Sequence, residues 1–160
     1  MTTDPFAPKS RLQWPIKLLE AWRSGRLSRE QLRDLLPPIL SGSIIPASVL
    51  PEDVWLELFQ ETGFVGHARN GNSPSKPRKP LKLFRGASSP RGFSWTPDLE
   101  TARKFVRDYD EVGVGPAKVW EATVPPEAVL AVIEHRTRGE REVVVDPRWF
   151  DLREASILAV

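Results

Sequence analysis

Residues 67–80 divide this chain into two parts that follow different hydrophobic patterns. The segment reads HARNGNSPSKPRKP and has no large apolar side chain, which is typical of a linker that takes no part in a core. Apolar residues recur at helical spacing before it, whereas apolar and polar residues alternate after it. We therefore expect an α+β protein in which an N-terminal helical lobe, residues 1–66, packs on a mainly β core, residues 81–160.

The sequence predicts three short helices in the first part. The first starts at Pro15 and stops at Gly25. The second starts at a capping box and ends at a proline pair, and the third lies between a proline and a glycine. These boundaries are Ser28 with Gln31 and Pro37-Pro38 for the second helix, and Pro51 and Gly63 for the third. The expected apolar faces are Ile16, Leu19 and Trp22; Leu32, Leu35 and Leu36; and Val54, Trp55, Leu58 and Phe59.

The second part is predicted to contain six strands and one helix. The strands are residues 81–87, 92–96, 118–124, 129–133, 140–146 and 156–160. Thr96 is the expected N-cap of the helix, which runs to about Tyr109 and carries an ion pair between Glu100 and Lys104. Its expected buried side chains are Leu99, Ala102, Phe105 or Val106, and Tyr109.

Charge is unevenly distributed along the chain. The 160 residues include 23 Lys and Arg and 21 Asp and Glu, a net charge of +2, but residues 67–91 contain seven basic and no acidic side chains. Such a segment attracts an anionic partner: a phosphate ligand, a nucleic acid or an acidic protein. It has no aromatic residue between Arg69 and Lys82, whereas single-stranded nucleic acids are usually bound by stacking on aromatic rings.

The composition excludes several chemistries. There is no cysteine, so a disulfide framework, a thiolate nucleophile and a cysteine zinc site are impossible. His67 and His135 are the two histidines, which argues against a histidine-rich metal site, and neither is assigned a catalytic role. No apolar run is long enough to span a membrane, and the N-terminus lacks the pattern of a signal peptide. We therefore expect a cytoplasmic protein with no membrane partner and no metal.

Three short motifs in the second part could form one site. They are Phe84-Arg85-Gly86, Ser94-Trp95-Thr96 and Gly139-Glu140-Arg141-Glu142, and each alone is a weak signal. In a strand, Glu140 and Glu142 face the same side and repel each other, which favours a cationic ligand between them. Arg85 offers a planar donor fork for phosphate, and Gly86 lets a ligand approach the backbone. Together these groups suit a ligand that carries phosphates and becomes positively charged as it reacts.

The segments LFRG, GFSWTPDLETARKF and GEREVVVDP resemble, in this order, the motifs of mono-ADP-ribosyltransferases of the Arg–Ser–Glu type. The resemblance covers residues 81–147. It implies a compact split β-sheet core with one main helix, and a reaction that cleaves NAD+, the co-substrate, and transfers ADP-ribose to a target protein.

The resemblance also implies roles for individual residues. Glu142 would hold the ribose 2′-hydroxyl and stabilise an oxocarbenium-like transition state, Ser94 would orient Glu142, and Arg85 would hold a phosphate. Glu140 would position an arginine side chain as the acceptor. The remaining contacts to NAD+ would come from the Gly86 backbone at the nicotinamide amide, from Thr96, and from Trp95 or Phe105 stacked on the nicotinamide ring.

Other functions remain open at this point. An NAD+ glycohydrolase, which uses water as the acceptor, would need the same site. A non-catalytic module could bind a protein or a nucleic acid through the basic residues 69–91. An RNA 2′-phosphotransferase is disfavoured by the Glu-x-Glu pair. A small protein-modifying enzyme of this kind is expected to be a toxin, a phage-encoded modifier of host proteins or a secreted effector.

Overall fold

The computed structural model describes residues 13–43, 46–68, 72–112, 115–135, 140–151 and 157–160. Its helices and two small sheets make this a mixed α+β protein. The chain forms two compact units, residues 1–65 and residues 66–160. The observed boundary lies one residue before the one predicted from the sequence, which follows residue 66. Within the described residues, no helix is both long and apolar enough to span a membrane.

Four helices form the described part of the first unit: α1 (Trp14–Arg23), α2 (Arg29–Ser41), α3 (Pro46–Val49) and α4 (Glu52–Thr62). The capping box that starts α2 is present, because Ser28 Oγ accepts from the Gln31 amide at 3.1 Å and Gln31 Oε1 accepts from the Ser28 amide at 2.8 Å. Gly63 ends α4 with a φ of 65°, a conformation that favours glycine. The short helix α3 was not predicted.

The proline pair does not end α2 as predicted. The helix continues through Pro37 and Pro38 to Ser41, although each proline removes one helical N–H. Ile39 and Leu40, which follow the prolines, are both buried. Burying each of these side chains contributes about 1.5–3 kcal/mol, and a proline inside a helix costs about 3 kcal/mol. Burial of Ile39, Leu40 and Pro37 itself therefore offsets much of the cost of the two prolines.

The buried face of α1 also differs from the prediction. Pro15, Leu18 and Ala21 are buried, whereas Ile16 is 44% exposed. The predicted face and the observed face both have helical spacing, and which one is buried is decided by packing against α2 and not by the local pattern.

Seven strands and one helix form the described part of the second unit. A four-stranded sheet has the order β1-β5-β6-β3, and a three-stranded sheet has the order β2-β4-β7. The pairs β2–β4, β4–β7, β3–β6 and β5–β6 are antiparallel. The strands are β1 (Val65–Ala68), β2 (Leu81–Ala87), β3 (Ser94–Trp95), β4 (Lys118–Val124), β5 (Val129–His135), β6 (Glu140–Val145) and β7 (Ile157–Ala159), and the helix is α5 (Leu99–Val112).

The strand predictions are confirmed, with one addition. Strand β1 extends to Ala68, so the linker predicted over residues 67–80 is wrong at its first two positions. Four residues are too short a run to give a recognisable alternation. Residues 72–80 contain no helix or strand, as expected. Residues 69–71 and residues 136–139, which include Gly139 of the third motif, lie outside the described part of the chain.

The N-cap of α5 is Asp98 and not Thr96. Asp98 Oδ2 accepts from the Thr101 amide at 3.1 Å and from the Thr101 hydroxyl at 2.7 Å. Thr96 stabilises the turn before the helix instead, because its hydroxyl accepts a hydrogen bond from the Asp98 amide. Along the helix, Glu100 pairs with Arg103 and not with the predicted Lys104.

The two sheets of the second unit are joined at one short bridge between β2 and β3. The Phe84 amide donates to the Thr96 carbonyl at 2.7 Å, and the Thr96 amide donates to the Phe84 carbonyl at 2.8 Å. This bridge is isolated from the named strands. We call it the seam, and the predicted site residues lie beside it.

Candidate active site

Arg85, Ser94 and Glu142 meet at the seam. Arg85 lies on β2 of the three-stranded sheet, and Ser94 and Glu142 lie on β3 and β6 of the four-stranded sheet. The Arg85 Nη1 group donates to the Ser94 carbonyl at 3.0 Å, and the Ser94 hydroxyl donates to Glu142 Oε1 at 2.8 Å. Three residues that are distant in sequence are therefore linked by hydrogen bonds, with Ser94 accepting from Arg85 through its main-chain carbonyl and donating to Glu142 through its hydroxyl. We call these three linked residues the Arg–Ser–Glu run.

The guanidinium of Arg85 is fixed by its surroundings. Its Nε donates to the Ser89 carbonyl at 3.0 Å, in addition to the bond to Ser94. A Cβ atom at Gly92 would lie 2.1 Å from Arg85 Nη2 and 2.3 Å from Cζ, so the absence of a side chain at Gly92 makes room for the guanidinium. Burial lowers the pKa of Arg85, while Tyr109 and Glu142 act in the opposite direction. Tyr109, predicted as a core residue only, is thus close enough to Arg85 to affect its titration.

One oxygen of the Glu142 carboxylate is buried without a hydrogen-bond partner among the described residues. Its side chain is 13% exposed, and Oε1 accepts from Ser94. The second oxygen, Oε2, is buried and has no hydrogen-bond partner among the described residues. A buried carboxylate oxygen without a donor is costly, and such exceptions are compatible with an atom that receives a hydrogen bond from a ligand.

Glu140 lies on the same side of β6 as Glu142, two residues earlier. It lines an open groove of about 420 Å³ together with the first half of α5. The other residues along this groove are Pro97, Asp98, Glu100, Thr101, Lys104, Arg107 and Arg141. The groove thus carries the carboxylate of Glu140, two residues before Glu142 on β6, at the surface beside α5.

Gly86 is required by the packing of α5 on β2. A Cβ atom at this position would lie 2.0 Å from the Ala102 carbonyl oxygen, a backbone atom of α5. The Phe105 Cβ is also close to this position, and the Phe105 side chain is 36% exposed. Phe105, which the sequence places in the core, is therefore an accessible aromatic side chain beside Gly86.

Two predicted ligand contacts are structural residues instead. Trp95 is 1% exposed, stacks on Phe150 with ring centroids 4.8 Å apart, and donates from Nε1 to the Gly92 carbonyl at 3.1 Å. The predicted stacking of Trp95 on nicotinamide is wrong in this structure, because the ring is buried against Phe150. Thr96 is 4% exposed and uses its hydroxyl in the turn before α5.

His135, to which the sequence assigned no role, lies beside Glu142. Its Nε2 is 3.8 Å from Glu142 Oε2. Strands β5 and β6 pair with His135 opposite Glu140 and Ile133 opposite Glu142. The sequence could have predicted this contact, because antiparallel pairing of the two predicted strands on either side of residues 136–139 places position 135 opposite position 140.

The basic segment before β2 contributes to a second groove. It has a volume of about 450 Å³ and is lined by the cationic side chains of Arg78, Lys79 and Arg141. Arg141 points to the side of β6 opposite Glu140 and Glu142 and is paired with Glu134 at 2.6 Å. None of the residues that line this groove belongs to the Arg–Ser–Glu run, although Arg141 and Pro97 also line the groove beside α5.

The fold and the site define a mixed α+β protein with a hydrogen-bonded arginine, serine and glutamate where two small sheets join. Within the described residues, no three His, Asp or Glu side chains are grouped so as to hold a metal ion. Comparisons with protein-family models, with curated proteins and with solved structures found no match. The functional assignment therefore depends on the residues and geometry of the site.

Proposed function

We propose that this chain is a mono-ADP-ribosyltransferase that cleaves NAD+ and transfers ADP-ribose to a protein, with arginine as the acceptor side chain. The observation that carries the proposal is the Arg–Ser–Glu run, which ends on a buried carboxylate oxygen without a donor. An ADP-ribosyltransferase-like split-sheet fold is part of the proposal. It is supported by the two small sheets, which are bridged between Phe84 and Thr96.

Glu142 stabilises the transition state in this proposal. The bond between ribose C1′ and the nicotinamide nitrogen breaks, the electron pair leaves with nicotinamide, and positive charge develops on the ribose. The ribose 2′-hydroxyl donates to Oε2 of Glu142, and the carboxylate attracts the developing charge. Because this attraction is stronger in the transition state than in the ground state, it accelerates the reaction.

Arg85 and Ser94 hold the reacting groups in position. An arginine side chain has five N–H donors, and Arg85 uses two on the carbonyls of Ser89 and Ser94. The remaining donors can bind a phosphate oxygen of NAD+, with the fork geometry that suits phosphate. The bond from Ser94 fixes the rotation of the Glu142 carboxylate, so that Oε2 faces the ribose.

Glu140 selects the acceptor. It lines the groove beside α5, and a carboxylate binds a guanidinium through two parallel hydrogen bonds. An arginine of the target protein held in this way presents a nitrogen to ribose C1′. That nitrogen forms the new bond and loses a proton, while nicotinamide departs.

The proposal is tested with NAD+ tagged on its adenine, incubated with the protein and a cell lysate. Replacing Glu142 with glutamine should lower NAD+ cleavage by about a hundredfold or more and leave the urea unfolding curve unchanged. The matched control is Glu127→Gln, an exposed glutamate of the second unit, which should keep full activity.

The other outcomes separate the competing functions. Nicotinamide release without transfer of the tag identifies an NAD+ glycohydrolase. Salt-sensitive binding of an acidic protein or a nucleic acid with no consumption of NAD+ identifies a binding module. Equal turnover by the Glu142→Gln and Glu127→Gln variants excludes the proposed mechanism.

A further inference from the structure

We propose that His135 is a positioning residue for Glu142 and must be neutral in the active protein; this inference rests on the proposed function. His135 Nε2 lies 3.8 Å from Oε2 of Glu142, the oxygen that has no hydrogen-bond partner among the described residues. The imidazole and the ribose hydroxyl would therefore meet the same atom.

Among the described residues, charged or titratable groups near His135 lie on three strands. On β6, Glu140 lies directly opposite and Glu142 lies diagonally across. On β5 itself, the neighbouring Glu134 is paired with Arg141 of β6. Strand β1 adjoins the other edge of β5 and carries His67 as its titratable side chain.

Two further groups, Ser94 and Arg85, influence His135 indirectly through Glu142. Ser94 donates to its other oxygen, and Arg85 interacts with it electrostatically. His135 thus adjoins a carboxylate that already has one hydrogen-bond donor and one nearby cation. Protonation of His135 would add a second cation, beside Oε2 of Glu142, the oxygen to which the ribose hydroxyl is proposed to donate.

Protonation of His135 opposes the reaction in two ways. An imidazolium beside Oε2 offsets the negative charge that would otherwise stabilise the oxocarbenium-like state. It also competes with the ribose hydroxyl for the same oxygen, whereas neutral imidazole leaves that oxygen to the substrate. Histidine changes its charge between about pH 5 and 8, so we expect the site to lose activity as the pH falls through this range.

A purely structural role makes a different prediction. Protonated His135 could simply reduce the repulsion between Glu140 and Glu142 on one side of β6. In that case, its replacement would change the free energy of unfolding with pH, but the pH profile of kcat/KM would keep its shape.

The first experiment measures kcat/KM for NAD+ between about pH 5 and 8. We expect the wild-type value to fall at least about fivefold toward low pH, which corresponds to two unit charges about 4 Å apart in bulk water. His135→Gln should remove this fall, and His135→Lys should keep kcat/KM low throughout. The control His67→Gln should match the wild type. An unchanged acid limb in His135→Gln would overturn the inference.

The second experiment does not depend on activity. The imidazole signals are titrated by NMR and assigned with the His67→Gln variant. Glu142→Gln should lower the titration midpoint of His135 and leave that of His67 in place, because removal of a carboxylate disfavours the imidazolium. An unmoved midpoint overturns the inference while the proposed function stands. Wild-type protein that cleaves no NAD+ overturns the proposed function, and the catalytic role of His135 with it.

Discussion

Replacing Gly92 with alanine would displace the Arg85 guanidinium without removing any side chain of the Arg–Ser–Glu run. The new Cβ would lie 2.1, 2.3 and 2.8 Å from Nη2, Cζ and Nη1 of Arg85. These are the three nearest atoms, and all belong to one flexible side chain. Ordinary contact begins at 3.4 Å, so the guanidinium must move by about 1.3 Å or more.

Such a movement breaks both hydrogen bonds of Arg85. The bonds to the Ser89 and Ser94 carbonyls are 3.0 Å long, and hydrogen bonds of this type rarely exceed about 3.2 Å. A hydrogen bond to a charged group contributes about 1.5–3 kcal/mol, and the displaced guanidinium regains part of this from water. We therefore expect the Gly92→Ala substitution to lower the free energy of unfolding by about 2–3 kcal/mol.

A double-mutant cycle measured by urea unfolding identifies the cause. In the background of Arg85→Ala, the clashing atoms are gone, so Gly92→Ala should cost almost nothing. The two substitutions would then have a coupling energy nearly equal to the full cost of the glycine change. An equal cost of Gly92→Ala in both backgrounds would refute the placement of the guanidinium against Gly92.

Three further predictions concern residues of the second unit. Glu140→Ala should reduce transfer to an arginine acceptor more than NAD+ hydrolysis, and an equal loss of both activities would contradict its role. Gly86→Ala should destabilise the protein by about 1–3 kcal/mol in urea unfolding, because the new Cβ meets the carbonyl of Ala102 at 2.0 Å and α5 must shift. Hydrogen bonds from Thr101 lower the pKa of Asp98 from its ordinary value of 3.8, so the stability that Asp98 provides is present above that value and is lost as the pH falls through the lower folded-state pKa. Asp98→Ala should thus weaken the decline of the unfolding midpoint in acid, and an unaltered decline would exclude this contribution.

Local patterns in the sequence predict the elements that are long and regular. Strands β2 and β4 span residues 81–87 and 118–124 in both the prediction and the structure. The capping box at Ser28 and the glycine stop at Gly63 were also predicted correctly. Each of these features is specified by a few consecutive residues, and the tertiary contacts of the folded protein favour the same local structure.

Contacts between distant residues decide the features that the sequence did not reveal. Helix α2 passes through Pro37 and Pro38 because the next turn is buried. Trp95 faces the core because Phe150, 55 positions later, covers its ring. The three site motifs were recognisable by their order, but His135 becomes part of the site only once β5 and β6 are paired in register.

The seam couples the integrity of the site to the contact between the two sheets. Arg85 lies on one sheet and Ser94 on the other, so their hydrogen bond exists only while the Phe84 and Thr96 bridge holds the two sheets together. Partial unfolding that separates the sheets would therefore detach Arg85 from Ser94 and Glu142 while most strand pairing persists. In native-state hydrogen exchange, the Phe84 and Thr96 amides would open with the site and before the centre of either sheet.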